Sequence, residues 1–336
     1  MKLNWNNPVV VITGASSGIG KATALHFAEE GARLVLAARR KRLLEDLADE
    51  CESLGAEAIA VETDVTDQND VERLAKSAIK EFGQIDVWIN NAGASVVGRF
   101  DEAPMEENEQ VIKINLLGTM YGTAEALRHF RKREEGVLIN VAAALARHAA
   151  PYQAAYVASK HAIRGLTDAV RQELYANDER DIYLCTVMPV SMNTPFFRHA
   201  ANRSGHKVQA IPPVYDPERV AETIVDLAWN PQREVIVGSS GKVITAQQHL
   251  SPELTDRQVA RVTHRRQIEN SPREKDRSGS LFRPMKEGTE VHDEWRQSGE
   301  YVNRTGLTLA ATLPVAAALW WWRRAQGRAS ASPRAA

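Results

Sequence analysis

The sequence predicts an α/β protein, a single domain in which a doubly wound parallel sheet is covered by helices on both sides. Over the first 190 residues, short apolar runs rich in β-branched residues alternate with segments of helical periodicity. A glycine-rich turn, TGASSGIG at 13–20, joins the first apolar run to the first helical segment. Because repeated βα units pair through right-handed crossovers, the strands are expected to be parallel.

The elements follow one another in a regular order. The predicted strands are PVVVITG (8–14), ARLVLAAR (32–39), EAIAVETDV (57–65), IDVWINNAG (85–93), GVLINV (136–141), DIYLCTVMP (181–189) and EVIVG (234–238). The predicted helices cover 20–31, 42–55, 67–83, 105–130, 152–176 and 217–230. Gly31 and Gly55 are helix-ending residues, and Asp67 is an N-cap candidate. The α/β body is expected to occupy residues 1–250.

The composition changes after residue 250. Residues 252–304 hold 11 Lys/Arg and 10 Asp/Glu with few large apolar side chains. This mixture predicts a charged, solvated extension over 251–304, with one helix at 253–269 and no core of its own. The last segment, 305–336, combines an apolar stretch with a basic end.

The apolar stretch runs from Gly306 to Trp322 without a charge, and Arg323 and Arg324 follow it. Its 17 residues would span about 25 Å as a helix, less than a hydrocarbon core of about 30 Å. Its three tryptophans suit an interfacial anchor, whereas Pro314 and the position of the basic end argue against a span. Two interpretations stay open: membrane contact through 306–322, or packing on the catalytic domain or a partner subunit.

The bulk composition is that of an ordinary globular protein. The formal net charge is −1, so no global field would recruit nucleic acid. Cys51 and Cys185 have no metal-ligand spacing, and we expect buried thiols in a reducing compartment. The N-terminus MKLNWNNPVVVITG has no secretory signal pattern, so a cytoplasmic catalytic domain is expected.

The glycine turn has the composition of a dinucleotide site. Gly14, Gly18 and Gly20 follow the first strand and lead into a helix. A pyrophosphate needs close backbone approach and free N–H groups at a helix N-terminus, which this arrangement supplies. A tight turn without a ligand is the alternative, but the strand–turn–helix context favours the nucleotide.

The end of the second strand indicates which dinucleotide binds. In VLAARRKR, Ala38 and Arg39 stand where a carboxylate would accept the ribose 2′-hydroxyl of NAD. A carboxylate would repel a 2′-phosphate, whereas Arg39 can pair with one. Lys41 and Arg42 are better explained as a solvated helix start. We therefore expect NADP(H), with NADPH preferred over NADH.

Together these motifs resemble the short-chain dehydrogenase/reductase family. They are TGASSGIG (13–20), DV (64–65), NNAG (90–93), Asn115 in KINLLG, YVASK (156–160) and PVSMNT (189–194), in the family's order. The resemblance covers 8–238 and implies a Rossmann-type domain that transfers a hydride between a nicotinamide and an alcohol or carbonyl. It also implies a small-molecule substrate and a homo-oligomer.

The resemblance further implies a set of cofactor contacts. Asp64 and Val65 would contact the adenine, and Thr194 would lie near the carboxamide. The cofactor-binding candidates are Thr13, Gly14, Ser16, Ser17, Gly18, Ile19, Gly20, Arg39, Asp64, Val65, Asn91, Ala92, Gly93, Tyr156, Lys160, Pro189, Val190 and Thr194. The family has a glycine after the proline, whereas this chain has Val190 after Pro189. The branched side chain of Val190 could alter the wall of the nicotinamide pocket.

A tyrosine–lysine pair carries the expected chemistry. Tyr156 can give a proton to a carbonyl oxygen, but an ordinary tyrosine has a pKa of about 10. Lys160 lies four residues on, hence on the same helix face, where a cation favours the phenolate and lowers that pKa. The resemblance implies that Lys160 also holds the nicotinamide ribose and that Asn115 supports a proton relay. The catalytic candidates are thus Tyr156, Lys160 and Asn115.

A second departure from the family concerns the substrate oxygen. The family supplies a serine hydroxyl 13 residues before the tyrosine, where this chain has Ala143. Losing one preorganised donor costs about 10²–10³ in rate, roughly 3–4 kcal/mol. Either the enzyme works with Tyr156 as the main donor, or the chain is a cofactor-binding sensor or scaffold with little turnover. Hydroxyls in neighbouring motifs that could help are those of Ser95, Ser191 and Tyr152.

The segment NTPFFRHAANRSGHKV (193–208) corresponds to the part of the family that covers the substrate. Phe196 and Phe197 would supply apolar contacts, and Ala143 would face the same space. His199 would supply a polar contact, although a surface histidine is the simpler interpretation. The pattern favours a hydrophobic alcohol or ketone without identifying it.

Overall fold

The computed structural model describes residue 3 and residues 5–295. Within this range the strands are β1 (Val9–Thr13), β2 (Arg33–Ala38), β3 (Glu57–Glu62), β4 (Val87–Asn90), β5 (Val96–Val97), β6 (Gly136–Val141), β7 (Ile182–Pro189), β8 (Ala201–Asn202) and β9 (Glu234–Val237). The helices are α1 (Gly18–Glu29), α2 (Lys41–Ser53), α3 (Gln68–Phe82), α4 (Met105–Ile112), α5 (Gly118–Arg133), α6 (Ala154–Ala176), α7 (Phe196–His199), α8 (Glu218–Trp229), α9 (Ser239–Leu250) and α10 (Pro252–His264).

Seven strands form one parallel sheet in the order β3-β2-β1-β4-β6-β7-β9. The order reverses between β1 and β4, and at such a reversal a crevice opens at the carboxyl ends of the strands. The short strands β5 and β8 form a separate parallel pair. The predicted doubly wound parallel sheet is therefore confirmed, with its seven strands.

The strands are apolar on both faces because each face of the sheet is covered. On β1, Val10 and Ile12 pack in one layer with Phe27 of α1. Val9 and Val11 point the other way and pack in the opposite layer. All five side chains are fully buried, and burying one such side chain contributes about 1.5–3 kcal/mol. Continuous apolar runs thus form the centre of the fold.

The helix predicted over 105–130 contains a π-helical turn. Helix α4 ends at Ile112, the π turn covers Lys113–Leu117, and α5 continues from Gly118. Asn115 lies in this turn, and its side chain is fully buried. Such turns are frequent at functional sites. Sequence periodicity averages over a single widened turn, which is why it predicts one uniform helix here.

The extension after residue 250 packs on the α/β body. Helix α10 continues into a π-helical turn at Arg265–Glu269, and Thr255 and Gln267 are buried. Residues 277–295 follow without regular secondary structure and include the fully buried Leu281; we call them the strap. The extension is less solvated than its charge predicts, because its backbone and small side chains contact the body.

Two expectations concern the compartment of the protein. Both cysteines are free and buried, as predicted, and burial raises the pKa of Cys51 and of Cys185 to about 12. The apolar stretch 306–322 lies outside the described residues. Among the residues that are described, none of the helices combines the length and apolarity that crossing a bilayer requires.

Candidate active site

A cavity of about 560 Å³ lies at the carboxyl edge of the sheet. Every predicted cofactor residue lines it except Thr13 and Gly20. These two residues lie behind the lining and support it. The parallel topology explains this convergence, since the loops that follow all parallel strands emerge at the same edge.

The glycine turn is too tightly packed for side chains. Gly14 has a φ of +69°, and a Cβ there would lie 2.8 Å from the Cα of Ala92. A Cβ on Gly20 would overlap the carbonyl oxygen of Gly14. Because glycine alone fits these positions, the turn stays close to the neighbouring loop and the N-terminus of α1 borders the cavity.

Thr13 ties the two central strands together behind the cavity. Its hydroxyl accepts hydrogen bonds from the backbone N–H of Asn91 (3.0 Å) and Ala92 (3.2 Å). The side-chain amide of Asn91 donates back to the carbonyls of Thr13 (3.0 Å) and Gly14 (3.2 Å). These bonds fix the ends of β1 and β4 where the strand order reverses.

Tyr156 and Lys160 lie on one face of α6, as their spacing predicts. The Lys160 Nζ lies 5.5 Å from the centre of the Tyr156 ring and donates a hydrogen bond of 2.9 Å to the Val141 carbonyl. The ring of Tyr156 contacts that of Phe196, with centres 5.4 Å apart. Lys160 is buried, whereas Tyr156 is half-buried on the cavity wall.

Burial shifts both groups toward their neutral forms. It lowers the pKa of Lys160 to about 8 and raises the pKa of Tyr156 above its usual value. The direction is opposite to the lowering expected from Lys160: desolvation is the cause of the raised tyrosine pKa, and the amine donates its hydrogen bond to the Val141 carbonyl. Tyr156 is therefore a protonated phenol at neutral pH.

Asn115 lies behind the cavity instead of lining it. Its Oδ1 accepts from the Ala94 N–H (2.8 Å), and its Nδ2 donates to the Ala94 carbonyl (3.0 Å) and the Ser159 hydroxyl (2.9 Å). A Cβ on Gly93 would lie 3.6 Å from both Asn115 Oδ1 and Lys160 Nζ, so both groups flank this glycine. Asn115 thus joins the π turn, the loop after β4 and α6.

Ala143 follows β6 and lines the cavity. Of the three hydroxyls considered as substitutes for the serine, Ser191 lines the same cavity and the other two do not. Tyr152 shares a hydrogen bond of 2.7 Å with His264 Nδ1. Ser95 is fully buried. Ser191 is therefore the substitute that the fold leaves accessible to a substrate.

His148 is a second polar group of the lining, which the sequence pattern did not indicate. Its Nδ1 lies 3.4 Å from the Ala149 carbonyl, and its Nε2 is buried with no hydrogen-bond partner among the described residues. Burial lowers its pKa, so the imidazole is neutral at pH 7. A single histidine in a loop has no sequence pattern that would indicate a role, so its place in the cavity is seen only in the fold.

The two arginines after β2 both reach the cavity, with different partners. Arg39 donates to the carbonyls of Leu281 (3.2 Å) and Ser280 (2.5 Å) in the strap. Arg40 folds back on the glycine turn and donates to the Ser16 hydroxyl (2.9 Å). The sequence predicts Arg39 as the phosphate-binding residue. In the structure the side chain of Arg40 also lines the cavity, so both arginines belong to the same site.

The branched side chain of Val190 is accommodated by two glycines at the start of α9. A Cβ on Gly241 would lie 2.5 Å from Val190 Cγ1, and a Cβ on Gly238 would overlap Cγ2. The valine that replaces the family's glycine is thus accommodated because the two residues packed against it, Gly238 and Gly241, are glycines. Val190 still lines the cavity.

The substrate side of the cavity has two walls. Phe196, Phe197 and His199 form the first, and the His199 Nε2 lies 3.1 Å from the Glu287 carbonyl in the strap. The second wall comes from α9 and α10 and includes Ile244, Gln247, Gln258, Val259 and Val262. Sequence reasoning missed this wall, because no motif marks residues 239–250 and the charge of the extension after residue 250 outweighs its few apolar positions.

Comparison with known proteins agrees with this geometry. Residues 8–204 match the family described as short chain dehydrogenase. The uncharacterized oxidoreductase YxnA of Bacillus subtilis (strain 168) is 34% identical over 315 residues, covering 92% of this chain and 86% of its own length. A match of that coverage reaches into the extension after residue 250.

Solved structures show the same fold. An alcohol dehydrogenase from the archaeon Thermococcus sibiricus, complexed with 5-hydroxy-NADP, matches with a TM-score of 0.59 and 29% identity over 68% of this chain and 95% of its own. A short chain dehydrogenase/reductase from Burkholderia phymatum, in complex with NAD, matches with a TM-score of 0.67 and 24% identity over 76% and 97%. The glycine turn, the cavity and these matches together place the chain in the short-chain dehydrogenase/reductase family of oxidoreductases.

Proposed function

We propose that the protein is an NADP(H)-dependent oxidoreductase that interconverts an alcohol and a carbonyl. Tyr156 is the general acid/base, and Lys160 and Asn115 assist it. The observation that carries this proposal is the position of the Tyr156 phenol and the buried Lys160 amine on the wall of the cavity that the glycine turn borders.

The residues of the cavity fit a nicotinamide dinucleotide with a 2′-phosphate. The glycine turn has no room for Cβ atoms and presents the N-terminus of α1, as a pyrophosphate requires. Arg39 and Arg40 lie beside it, and Ala38 stands where a carboxylate would select NAD. The preference for NADP rests on these arginines, since the related structures were solved with either an NADP derivative or NAD.

The chemistry divides between cofactor and protein. Held by the glycine turn and the arginines beside it, a bound nicotinamide would supply the hydride for reduction or accept it in oxidation. Tyr156 gives its phenol proton to the carbonyl oxygen and takes it back in the reverse direction. The phenol, whose pKa burial raises further, is protonated at neutral pH, which suits the donor role. The Lys160 cation stabilises the phenolate that remains and can return a proton to it.

Asn115 acts through position. Its hydrogen bonds to Ala94 and Ser159 hold α6 against the loop after β4. That contact sets the distance between Tyr156 and the nicotinamide side of the cavity. The family resemblance also implies that Asn115 supports a proton relay through water, and we include that role in the proposal.

The substrate is proposed to be a hydrophobic alcohol or ketone. Phe196, Phe197, Val259 and the alanines 142–144 give the substrate side an apolar surface. With Ala143 in place of a hydroxyl donor, we propose that Ser191 or His148, two of the polar side chains that line the cavity, assists Tyr156 at the substrate oxygen. Ala143 also supports a second candidate, a cofactor-binding protein of the same fold with little turnover.

The test is NADPH oxidation with a broad panel of aldehydes and ketones, on the wild type and on Tyr156→Phe. Loss of the proton donor should lower kcat by about 10²–10⁴-fold while leaving NADPH binding intact. Tyr175→Phe, at a side chain 74% exposed, is the matched control and should keep full activity. Activity that survives Tyr156→Phe would overturn the mechanism. NADPH binding without oxidation of any panel member would favour the second candidate.

A further inference from the structure

The strap crosses the open side of the dinucleotide cleft. It begins beside β8, where Arg277 and Asn202 exchange backbone hydrogen bonds of 3.0 and 2.8 Å. It ends beside α7, where the Trp295 indole donates to the Thr194 carbonyl at 3.0 Å. Between these points it reaches the glycine turn and the end of β2, so it contacts both sides of the cleft.

On the nucleotide side, the strap contacts the groups proposed to hold phosphate. The Gly18 N–H, at the start of α1, donates to the Glu290 carbonyl at 3.0 Å. Arg40 Nη1 lies near three strap carbonyls, those of Met285 (3.4 Å), Glu287 (3.3 Å) and Gly288 (3.4 Å). The other two nitrogens of Arg40 donate to the serines of the glycine turn, Nε to the Ser16 hydroxyl at 3.1 Å and Nη2 to the Ser17 hydroxyl at 3.0 Å. The strap carbonyls are neutral acceptors at long distances, so a phosphate, as a charged and stronger acceptor, would take Nη1 from them while the rest of the strap stays in place.

On the α7 side, Arg198 fastens the strap. Its guanidinium donates to the Asp293 carboxylate at 2.9 Å and to the Glu290 carboxylate at 3.2 Å. The Asp293 side chain is only 5% exposed, and its backbone N–H donates to the Asn193 carbonyl at 3.2 Å. Glu290 is thus held from two directions: its carboxylate by Arg198 and its carbonyl by Gly18.

The strap walls the cavity without filling it. Ser280, Pro284 and Met285 line the cavity, and Gly18 and Arg39 line it as well. Space for a ligand therefore remains between the strap and the nucleotide-binding residues. A segment that plugged the site would remove this space.

We propose that the strap is a clasp that encloses the adenosine and phosphate part of bound NADP(H), and that Arg198 is the positioning residue that holds it closed. This rests on the proposed function. Because the strap joins the two sides of the cleft, cofactor exchange requires it to open. Its contacts therefore act chiefly on the rate of cofactor release.

The experiment measures NADPH release by stopped-flow, following nicotinamide fluorescence after displacement with excess NADP⁺. Arg198→Ala should raise the release rate about 5-fold or more and raise the Kd with it, with a smaller change in the association rate. Arg198→Lys should fall between the wild type and Arg198→Ala. Trp295→Ala removes a second contact at the same end of the strap without changing charge, and it should also speed release.

The control is Arg180→Ala, which removes an exposed ion pair with Asp178 at the opposite edge of the sheet and should leave release unchanged. Thermal unfolding establishes that each variant is folded. Tighter NADPH binding by Arg198→Ala would show that the strap is a plug and overturn the proposal. Unchanged release in both Arg198→Ala and Trp295→Ala would also overturn it. A wild type that binds no NADPH would instead refute the proposed function.

Discussion

Lys160 and Tyr156 face each other across one helical turn, with the Nζ 5.5 Å from the centre of the ring. The amine bonds to a backbone carbonyl and not to the phenol oxygen, so its charge acts on the phenol through space. In the proposed mechanism the lysine stabilises the phenolate after proton transfer, and the phenol, whose pKa burial raises, starts protonated.

Replacing Lys160 by methionine is expected to change how stability depends on pH. The folded pKa of about 8 lies below that of an exposed lysine, near 10.4. Burying the cation therefore costs free energy below pH 8, and this cost is relieved as the pH rises from 8 toward 10.4. Between pH 7 and pH 10.5, the free energy of unfolding of the wild type should rise relative to Lys160→Met by up to about 3 kcal/mol. Urea denaturation at each pH measures it, and a constant difference would contradict the shifted pKa.

Restoring the family's hydroxyl by Ala143→Ser is expected to raise kcat/KM for a reactive carbonyl by about 10-fold or more, since one oxyanion donor is worth about 10²–10³. The KM for NADPH should not change. Ala149→Ser is the matched control, because Ala149 is an exposed alanine of the same loop that does not line the cavity. An unchanged rate in Ala143→Ser would mean that another group, such as Ser191 or His148, already serves the oxygen.

Arg39→Ala is expected to weaken the use of NADPH far more than that of NADH. Losing a charge-assisted contact to a 2′-phosphate should lower kcat/KM for NADPH about 10- to 100-fold, while NADH, which lacks that phosphate, should change little. Steady-state kinetics with both cofactors measures the ratio. Lys41→Ala, at an exposed neighbour paired with Glu45, should leave the ratio unchanged. A wild type that prefers NADH would refute the cofactor assignment.

Gly241→Ala is expected to destabilise the protein by about 1–3 kcal/mol, because the new Cβ would lie 2.5 Å from Val190 Cγ1. Combining it with Val190→Ala should recover part of that loss, so the two changes should be non-additive. The control is Gly165→Ala in α6, where a Cβ would meet nothing within 4 Å; it should stabilise slightly. Additive effects of Gly241→Ala and Val190→Ala would contradict the packing described.

Much of the fold could be predicted from the chain because its signals are local. Apolar runs such as VVVIT form strands buried on both faces, and Asp67 caps α3 by accepting from the Asn69 N–H at 2.8 Å. The spacing of Tyr156 and Lys160 is likewise a property of one helix. The π turn at Asn115 could not be predicted, because a single widened turn leaves no mark in the periodicity.

By itself the sequence determined the order of the βα units, the glycine turn and the placing of Tyr156 and Lys160 on one helix face, since each depends on residues close together in the chain. Only the tertiary structure decided which groups are buried, which way Arg40 points, and that the strap lies against Gly18 and Arg198. Desolvation and long-range hydrogen bonds depend on residues that are far apart in sequence and adjacent in space. For that reason, the composition of the charged extension predicts exposure to solvent, whereas in the structure the extension forms a wall of the site.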